Sequence, residues 1–183
     1  RMQPDEIVGP IEVKISPYNL PKLSKWYAGD AHIHSFMTDD IYEFGCSVDS
    51  IASSARAMGL DWIILTDHSY DIAPFPDEWN DYKGRCDAET IPNEFMCMLG
   101  EEITATDTDL ERTSHYLAYG ISGPVKSEQI SKLIPYPKRG HKPAQQEAID
   151  EVKSKNGIGF IAHPFDPIWD WENWVVEGYT GIE

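Results

Sequence analysis

The sequence predicts an α/β fold in which buried strands alternate with amphipathic helices. Short apolar runs at residues 61–66 and 158–162 are typical of strands covered on both faces. Segments with helical spacing lie at residues 47–58 and 143–155. The composition, 41% hydrophobic and 25% charged, is that of a globular protein. This alternation predicts parallel βα units, and an open sheet and a barrel are both compatible with it.

The predicted elements follow a Pro-rich lead-in, residues 1–25, which holds one short strand at 11–15. Ser47 and Gly59 delimit the first helix, because these residue types favour the two caps of a helix. Residues 69–94 contain three prolines and Gly84, and we expect a loop there. The predicted strands are residues 27–33, 61–66, 95–99, 115–121, 158–162 and 179–183, and the predicted helices are residues 47–58, 127–134 and 143–155.

The net charge limits which classes of molecule the protein is expected to bind. Fifteen basic against 31 acidic residues leave a net charge of −16, which argues against a general nucleic-acid binder and against an anionic-membrane binder. A small anionic substrate stays compatible, because bound cations reverse the local sign of a site. No apolar run approaches the roughly 18 residues of a membrane helix, and the first residues lack the pattern of a signal peptide.

The cysteines favour a reducing compartment. The sequence contains three, Cys46, Cys86 and Cys97, with no CxxC spacing. An odd and sparse count argues against a disulfide framework and against a zinc ribbon. We therefore expect a cytoplasmic location, with a removed leader or an upstream domain left open.

Histidines mark the ends of the predicted strands. Of six in the sequence, five lie just past, at the end of or at the start of an apolar strand. The carboxyl ends of parallel strands are where α/β proteins bind ligands. These five are His32, His34, His68, His115 and His163.

Each of these residues, taken alone, has an ordinary structural interpretation. His32 and His34 share one face of a strand and can reach one ion, but two unrelated hydrogen-bonded histidines fit as well. Asp39 can be a ligand or part of a solvated turn. The strand period puts Glu102 on the face of Gly100, so only one of the two adjacent glutamates should enter a site. His68 can belong to a turn, and His115 and His163 can belong to the core.

Together, these side chains predict a metal site. Burying several imidazoles and carboxylates at one sheet edge is costly unless cations compensate them. Mixed imidazole and carboxylate ligands suit Zn, Mn or Fe. Their number exceeds the three or four protein ligands of a single zinc ion, so we expect two or three divalent ions.

Five motifs, in order, resemble those of the polymerase and histidinol phosphatase (PHP) family of metal-dependent hydrolases. They are Gly29-Asp-Ala-His-Ile-His-Ser35, Thr66-Asp-His68, Gly100-Glu-Glu-Ile103, His115 and Ala162-His-Pro164. The resemblance spans residues 26–183. The lead-in at Trp26 and the closing Gly181-Ile-Glu183 are similar to the carbaryl-hydrolase-like branch.

The resemblance implies a distorted (β/α)7 TIM-like barrel around a trinuclear metal site. His32 and His34 would hold one ion, and Glu102 would bridge it to a second. His115 and His163 would bind the second ion, and Asp39 and His68 a third. A metal-bound hydroxide would then hydrolyse a small-molecule substrate, most simply a phosphoester, or a carbamate or amide.

One family motif is missing. The closing Asp-x-His, which would complete two of the ions, does not occur in this sequence. We therefore expect residues 26–183 to be a metallohydrolase domain that lacks its last one or two βα units.

Other features leave alternatives open. Lys138 and Arg139 lie in the one basic loop, which is either solvated or binds an anionic substrate. Trp169, Trp171 and Trp174 either pack in the core or line an apolar wall.

Two other functions are also open. A related amidohydrolase barrel would have a metal-bridging lysine at the position of Glu102. A non-catalytic, metal-stabilised module is a third possibility.

Overall fold

A computed structural model describes residues 23–38, 45–72, 76–106, 113–125 and 143–183. The described residues form a mixed α/β fold around one six-stranded sheet, which curls into a half-barrel. The strands are β1 (Gly29–Ile33), β2 (Trp62–Leu65), β3 (Met96–Thr106), β4 (Thr113–Tyr119), β5 (Ile158–Ile161) and β6 (Gly181–Ile182). The helices are α1 (Val48–Met58), α2 (Ser69–Ile72), α3 (Pro76–Glu89) and α4 (Gln145–Ser154).

The strands stand in the sheet in their chain order, but not all of them are parallel. β1, β2 and β3 are parallel neighbours, as are β5 and β6. β4 is antiparallel to both β3 and β5, so the prediction of parallel βα units throughout is wrong at β4. The reason is the short connection: β3 ends at Thr106 and β4 begins at Thr113, whereas a parallel crossover needs a dozen or more residues.

Most predicted elements occur within a few residues of their expected bounds, with two clear errors. The strand predicted at 95–99 continues to Thr106, so Glu102 lies inside β3. The segment at residues 69–94, predicted to be a loop, contains α2 and α3. Pro76 is the first residue of α3, a position where the missing N–H costs nothing, and Asp77 and Glu78 in the first turn favour the helix dipole. The predicted strand at 11–15 and helix at 127–134 lie outside the described residues.

The core lies between the sheet and three of its helices. Ala52 of α1, Tyr82 of α3 and Ile149 of α4 are fully buried in one apolar cluster with Ile63 and Leu65 of β2. α1 ends at Gly59, whose left-handed conformation closes the helix and turns the chain into β2. No helix of the described ranges combines the length and apolar character that crossing a bilayer needs.

A disulfide joins α3 to β3. Cys86 and Cys97 are bonded, with their Cα atoms 5.3 Å apart, and both are buried. The sequence argues against a disulfide framework and did not indicate this single bond, because the contact between α3 and β3 cannot be read from cysteine spacing. Because disulfides are rare in reducing compartments, the cysteines no longer support the expected reducing compartment.

Candidate metal site

Six of the seven predicted ligands lie together at one edge of the sheet. His32 is in β1 and His34 directly follows it, while His68 follows β2 and Glu102 is in β3. The remaining two are His115, in β4, and His163, two residues past the end of β5. Asp39, Lys138 and Arg139 lie outside the described residues.

Backbone pairing continues past the strands and places the ligands side by side. His68 forms a parallel bridge with Glu102, and the Glu102 N–H donates to the Asp67 carbonyl at 3.1 Å. On the other side, the Ala162 N–H donates to the His115 carbonyl at 3.1 Å. The local backbone thus holds His68 against β3 and His163 against β4.

The antiparallel direction of β4 explains how His115 reaches the site. His115 stands near the start of its strand, opposite Thr104 near the end of β3. In a parallel strand, that position would lie at the far edge of the sheet. Because β4 runs the other way, its first residues meet the carboxyl end of β3.

The Glu102 carboxylate is the centre of the cluster. Its side chain is 1% exposed, and a nitrogen of each of five histidines lies within 3.4 Å of one of its oxygens. Oε1 faces His115 Nδ1 at 2.7 Å, His163 Nε2 at 3.0 Å and His32 Nε2 at 3.4 Å. Oε2 faces His34 Nε2 at 3.1 Å and His68 Nδ1 at 3.3 Å.

Hydrogen bonds alone do not satisfy this arrangement. The Nε2 atoms of His32 and His34 are 3.3 Å apart, and His115 Nδ1 and His163 Nε2 are also 3.3 Å apart. In each pair, at least one nitrogen must offer a lone pair, because two N–H donors repel. His115 Nε2 and His163 Nδ1 are buried and accept or donate no hydrogen bond within the described ranges.

The residues present fit divalent cations. Two sets of three ligand atoms lie within 4.8 Å of one another, one from His32, His34 and Glu102, the other from His68, Glu102 and His115. Glu102 belongs to both sets, and each of its oxygens faces different imidazoles. Converging imidazole lone pairs around a shared carboxylate form a donor set that Zn, Mn or Fe accepts.

The ionisation of the cluster reflects the same crowding. Burial by itself would raise the pKa of Glu102, but His115, His163 and His32 outweigh burial and hold that pKa well below its usual range. Burial also tends to lower the pKa of His32, yet Glu102 and Glu183 raise it to about 9.

The two histidines on the far side of the carboxylate shift in opposite directions. The hydrogen bond to Glu102 raises the pKa of His163 against the effect of burial. His115 is more deeply buried, and burial lowers its pKa despite Glu102. The site therefore contains imidazoles that readily lose a proton beside others that retain one.

The strand period separates the two adjacent glutamates. Glu101 points to the opposite face of β3, where its Oε2 accepts the Val125 N–H at 2.8 Å. Burial raises the pKa of Glu101 well above its usual range. Burial therefore favours the neutral form of Glu101, whereas the histidines favour the anionic form of Glu102.

Two carboxylates near the site were not assigned a role from the sequence. Asp67, predicted only as a possible turn residue, is fully buried and accepts hydrogen bonds from Ser35, Thr38 and Tyr82. Glu183 contacts His32 Nδ1 at 3.0 Å and accepts the His163 N–H at 3.2 Å. The sequence signal for both residues is their position near the end of a strand. Asp67 comes two residues after β2, and Glu183 comes directly after β6.

Backbone strain accompanies the last histidine. His163 has a φ of 26°, a region that residues other than glycine seldom adopt. Such strain is typical of functional sites, where surrounding contacts maintain it. Here the contacts of His163 with Glu102 and Glu183 do so.

The three tryptophans after His163 have different surroundings. Trp171 is buried in the core, in agreement with the packing alternative. Trp169 stacks on His115, with ring centroids 5.1 Å apart and planes 17° from parallel. Trp174 is 46% exposed and lines a pocket of about 440 Å³ together with Pro164, Phe165 and Asp166.

Comparisons with known proteins identify the fold. No family model and no curated protein matches the chain. A protein from Bifidobacterium adolescentis, to which metal-dependent phosphoesterase activity has been ascribed, aligns with a TM-score of 0.55 at 17% identity, over 85% of this chain and 77% of its own. An amidohydrolase from Chromobacterium violaceum, with bound sulfate and no metal, aligns with a TM-score of 0.54 at 15% identity, over 84% and 75%.

A third structure, a two-domain protein from Bacteroides vulgatus with a predicted PHP-like metal-dependent phosphoesterase part, gives a TM-score of 0.49 at 18% identity, over 88% of this chain and 44% of its own. The first two alignments show that the chain shares its fold with these two proteins.

Proposed function

We propose that this protein is a metal-dependent hydrolase of small-molecule phosphoesters. The observation that supports the proposal is the convergence of five imidazoles on the buried Glu102 carboxylate. Bound cations would compensate the carboxylate charge and the converging imidazole lone pairs together. The fold shared with a protein of ascribed metal-dependent phosphoesterase activity agrees with this proposal.

Two or three divalent ions, Zn, Mn or Fe, would occupy the cluster. Glu102 belongs to both sets of three ligand atoms, so this carboxylate is suited to bridge two ions. Asp39 would add a ligand from the segment after β1. The proposed ligands are His32, His34, Asp39, His68, Glu102, His115 and His163.

Divalent ions, when bound, would lower the pKa of water towards about 7 and so make a nucleophile available at neutral pH. The protein's own contribution is to hold the ligands in place and to limit access of bulk water. His68, Glu102 and His115 are almost fully buried, whereas His163 is more open. Substrate would therefore approach from the side of His163.

The substrate class follows from charge. The chain is acidic overall, with a net charge of −16, so an anionic phosphoester needs a locally positive site, which the ions would create. Lys138 and Arg139 are proposed to bind the same anion. The sulfate bound to the amidohydrolase of the same fold is an oxyanion of comparable shape.

The decisive experiment compares metal-loaded and metal-free protein on a panel of aryl phosphomonoesters, phosphodiesters, carbamates and amides. The key variant is Glu102→Gln, and the matched control is Glu101→Gln on the opposite face of β3. Because burial favours the neutral form of Glu101, glutamine matches the shape and charge of that form.

We expect phosphoester hydrolysis by native protein and by Glu101→Gln, and none after chelation or with Glu102→Gln. Activity that survives complete removal of metal would overturn the proposal. Two or more bound ions without hydrolysis of any compound in the panel would instead indicate a non-catalytic, metal-stabilised module.

Hydrolysis of a carbamate or amide on the same site is the second candidate. One specific observation favours it: an amidohydrolase aligns about as well as the ascribed phosphoesterase. The closing Gly181-Ile-Glu183, similar to the carbaryl-hydrolase-like branch, points the same way. The carbamate and amide arms of the panel separate the two candidates.

We further propose that residues 26–183 form one metallohydrolase domain with residues 1–25 as its lead-in. Six strands in sequential order, curled into a half-barrel, support part of a distorted (β/α)7 barrel.

A further inference from the structure

Thr38 stands between a candidate metal ligand and a buried carboxylate. Its Oγ1 lies 2.9 Å from His34 Nδ1 and 2.7 Å from Asp67 Oδ1. Thr38 is 4% exposed and Asp67 is fully buried, so water does not compete for these contacts. The three residues form a continuous chain from the ligand into the core.

The direction of each hydrogen bond in this chain can be worked out. Asp67 receives the backbone N–H groups of Ser35 at 2.7 Å and of Thr38 at 3.0 Å, and these groups can only donate. The hydroxyls of Ser35 and Tyr82 also point at Asp67. Asp67 therefore acts as an acceptor, and the single hydroxyl proton of Thr38 goes to it.

This leaves one role for the bond between Thr38 and His34. A threonine hydroxyl has one proton, so an oxygen that donates to Asp67 accepts from its other neighbour. That neighbour is His34 Nδ1, which must carry the proton. In the neutral ring the lone pair is then on Nε2, the atom that lies 3.1 Å from Glu102 Oε2.

We infer that Thr38, held by Asp67, is a positioning residue that fixes His34 in the Nδ1–H form and aims its Nε2 lone pair at the candidate metal site. The inference rests on the proposed metal site and goes beyond it, because it assigns the group that selects the binding nitrogen. Partners of this kind orient metal-binding imidazoles in proteins.

The neighbouring histidine is arranged in the same way by a different residue. His32 Nδ1 lies 3.0 Å from Glu183 Oε1, so the ring donates through Nδ1. Its Nε2 faces Glu102 and stands 3.3 Å from His34 Nε2. The two histidines of the pair thus present the same nitrogen to one point.

Glu183, which contacts His32, and Asp67, which holds Thr38 beside His34, differ in how firmly their own side chains are fixed. Glu183 is 36% exposed, whereas Asp67 is locked by donors from the loop after β1 and from α3. His34 is therefore ordered before a metal arrives, and this lowers the cost of ordering on binding. Loss of the Thr38 hydroxyl should lower the metal affinity more than it lowers the stability of the fold.

The test compares Thr38→Val, which keeps the shape but removes the hydroxyl, with Thr38→Ser, which keeps the hydroxyl. Zinc affinity is measured by competition with a chromophoric chelator. We expect Thr38→Val to bind zinc about 10- to 100-fold more weakly, and Thr38→Ser to bind like the native chain.

A spectroscopic measurement tests the inference independently of affinity. In the zinc-loaded native protein, ¹⁵N NMR should show a His34 Nδ1–H signal protected from exchange, and Thr38→Val should lose that protection. A native spectrum with His34 protonated at Nε2 would overturn the inference even if Thr38→Val does not fold. Equal zinc affinities for Thr38→Val and Thr38→Ser would overturn it as well.

These outcomes are distinct from failure of the proposed function. A chain that binds zinc with the expected variant pattern but hydrolyses nothing refutes the hydrolase and leaves the positioning role of Thr38 intact. A chain that binds no zinc refutes both.

Discussion

His115 Nδ1 lies 2.7 Å from Glu102 Oε1, the shortest of the five contacts that histidines make with this carboxylate. The contact spans the antiparallel pair of β3 and β4, where Glu102 faces Leu117 and His115 faces Thr104. The two side chains therefore meet diagonally across the ladder. Any shift in this register would separate the carboxylate from its nearest imidazole.

Removal of the His115 nitrogens should weaken metal binding without unfolding the protein. His115→Phe keeps a ring that can stack on Trp169 but offers no ligand atom. We expect the first metal equivalent to bind at least about 100-fold more weakly, beyond the effect of losing an outer partner. Isothermal titration with zinc or manganese measures this. Tyr119→Phe, on the same strand, is the control, and an unchanged affinity in His115→Phe would refute the assignment.

Metal binding should release protons in a pH-dependent way. The pKa of His32 is raised to about 9 in the metal-free protein, so at pH 7 this ring is protonated and must lose its proton to bind an ion. Metal affinity should therefore rise with pH up to about 9 and be lost in mildly acidic solution. Calorimetry in buffers of different ionisation enthalpy counts the protons. His32→Asn should release fewer, and a count that does not change would contradict this.

The stability of the metal-free protein should have the opposite pH dependence. A folded-state pKa above the ordinary value of 6.5 means that protonated His32 stabilises the fold. This contribution is complete below about pH 6.5 and is lost as pH rises through 9. The Tm of chelated protein should fall over this window, less so in His32→Asn. A Tm that rises over the same window in chelated protein would count against this ionisation.

Asp67 should be important for stability as well as for the site. Asp67→Asn replaces an acceptor by a group that presents N–H to surrounding donors, and we expect a loss of about 3 kcal/mol in unfolding free energy. Tyr82→Phe removes one of these bonds and should cost about 1 kcal/mol. Urea denaturation of metal-free protein measures both. Asp150→Asn, on the exposed face of α4, is the control, and equal effects at residues 67 and 150 would refute the network.

The disulfide should be detectable by thiol counting. Cys46 is free and exposed, whereas Cys86 and Cys97 are bonded. Denatured but unreduced protein should therefore take up one alkyl group, and reduced protein three. The pair closes a short loop, so the Cys86→Ala, Cys97→Ala double variant should lose about 2 to 3 kcal/mol in unfolding free energy. Three alkylations without reductant would show that the bond is not formed.

Much of the candidate site could be predicted because its members carry local signals. His32 and His34 alternate on one strand, and Glu102 shares the face of Gly100, so the period of a strand already selects which side chains point together. His68 and His163 follow apolar runs whose ends are recognisable. The fold class was accessible for the same reason, since buried strands and amphipathic helices have different periods.

Other features depended on partners that are distant in the chain. α3 was missed because Pro76, the two prolines that flank the helix and a weak apolar face resemble a loop. Its Tyr82 is buried in a cluster whose other members include residues from distant parts of the chain. Asp67 gave no sign of being buried among donors from Ser35 and Tyr82. Glu183 became a neighbour of His32 only when β1 and β6 were placed in one curled sheet.

The sequence by itself determined which residue types stand at the ends of strands, and thus that imidazoles and one carboxylate gather at a sheet edge. Only the tertiary structure decided that β4 runs antiparallel, that His115 is the nearest imidazole to Glu102, and that Thr38 stands between His34 and Asp67. The physical reason is that side-chain periodicity is a local property. Strand direction, register and the choice of hydrogen-bond partner are settled by long-range pairing and burial.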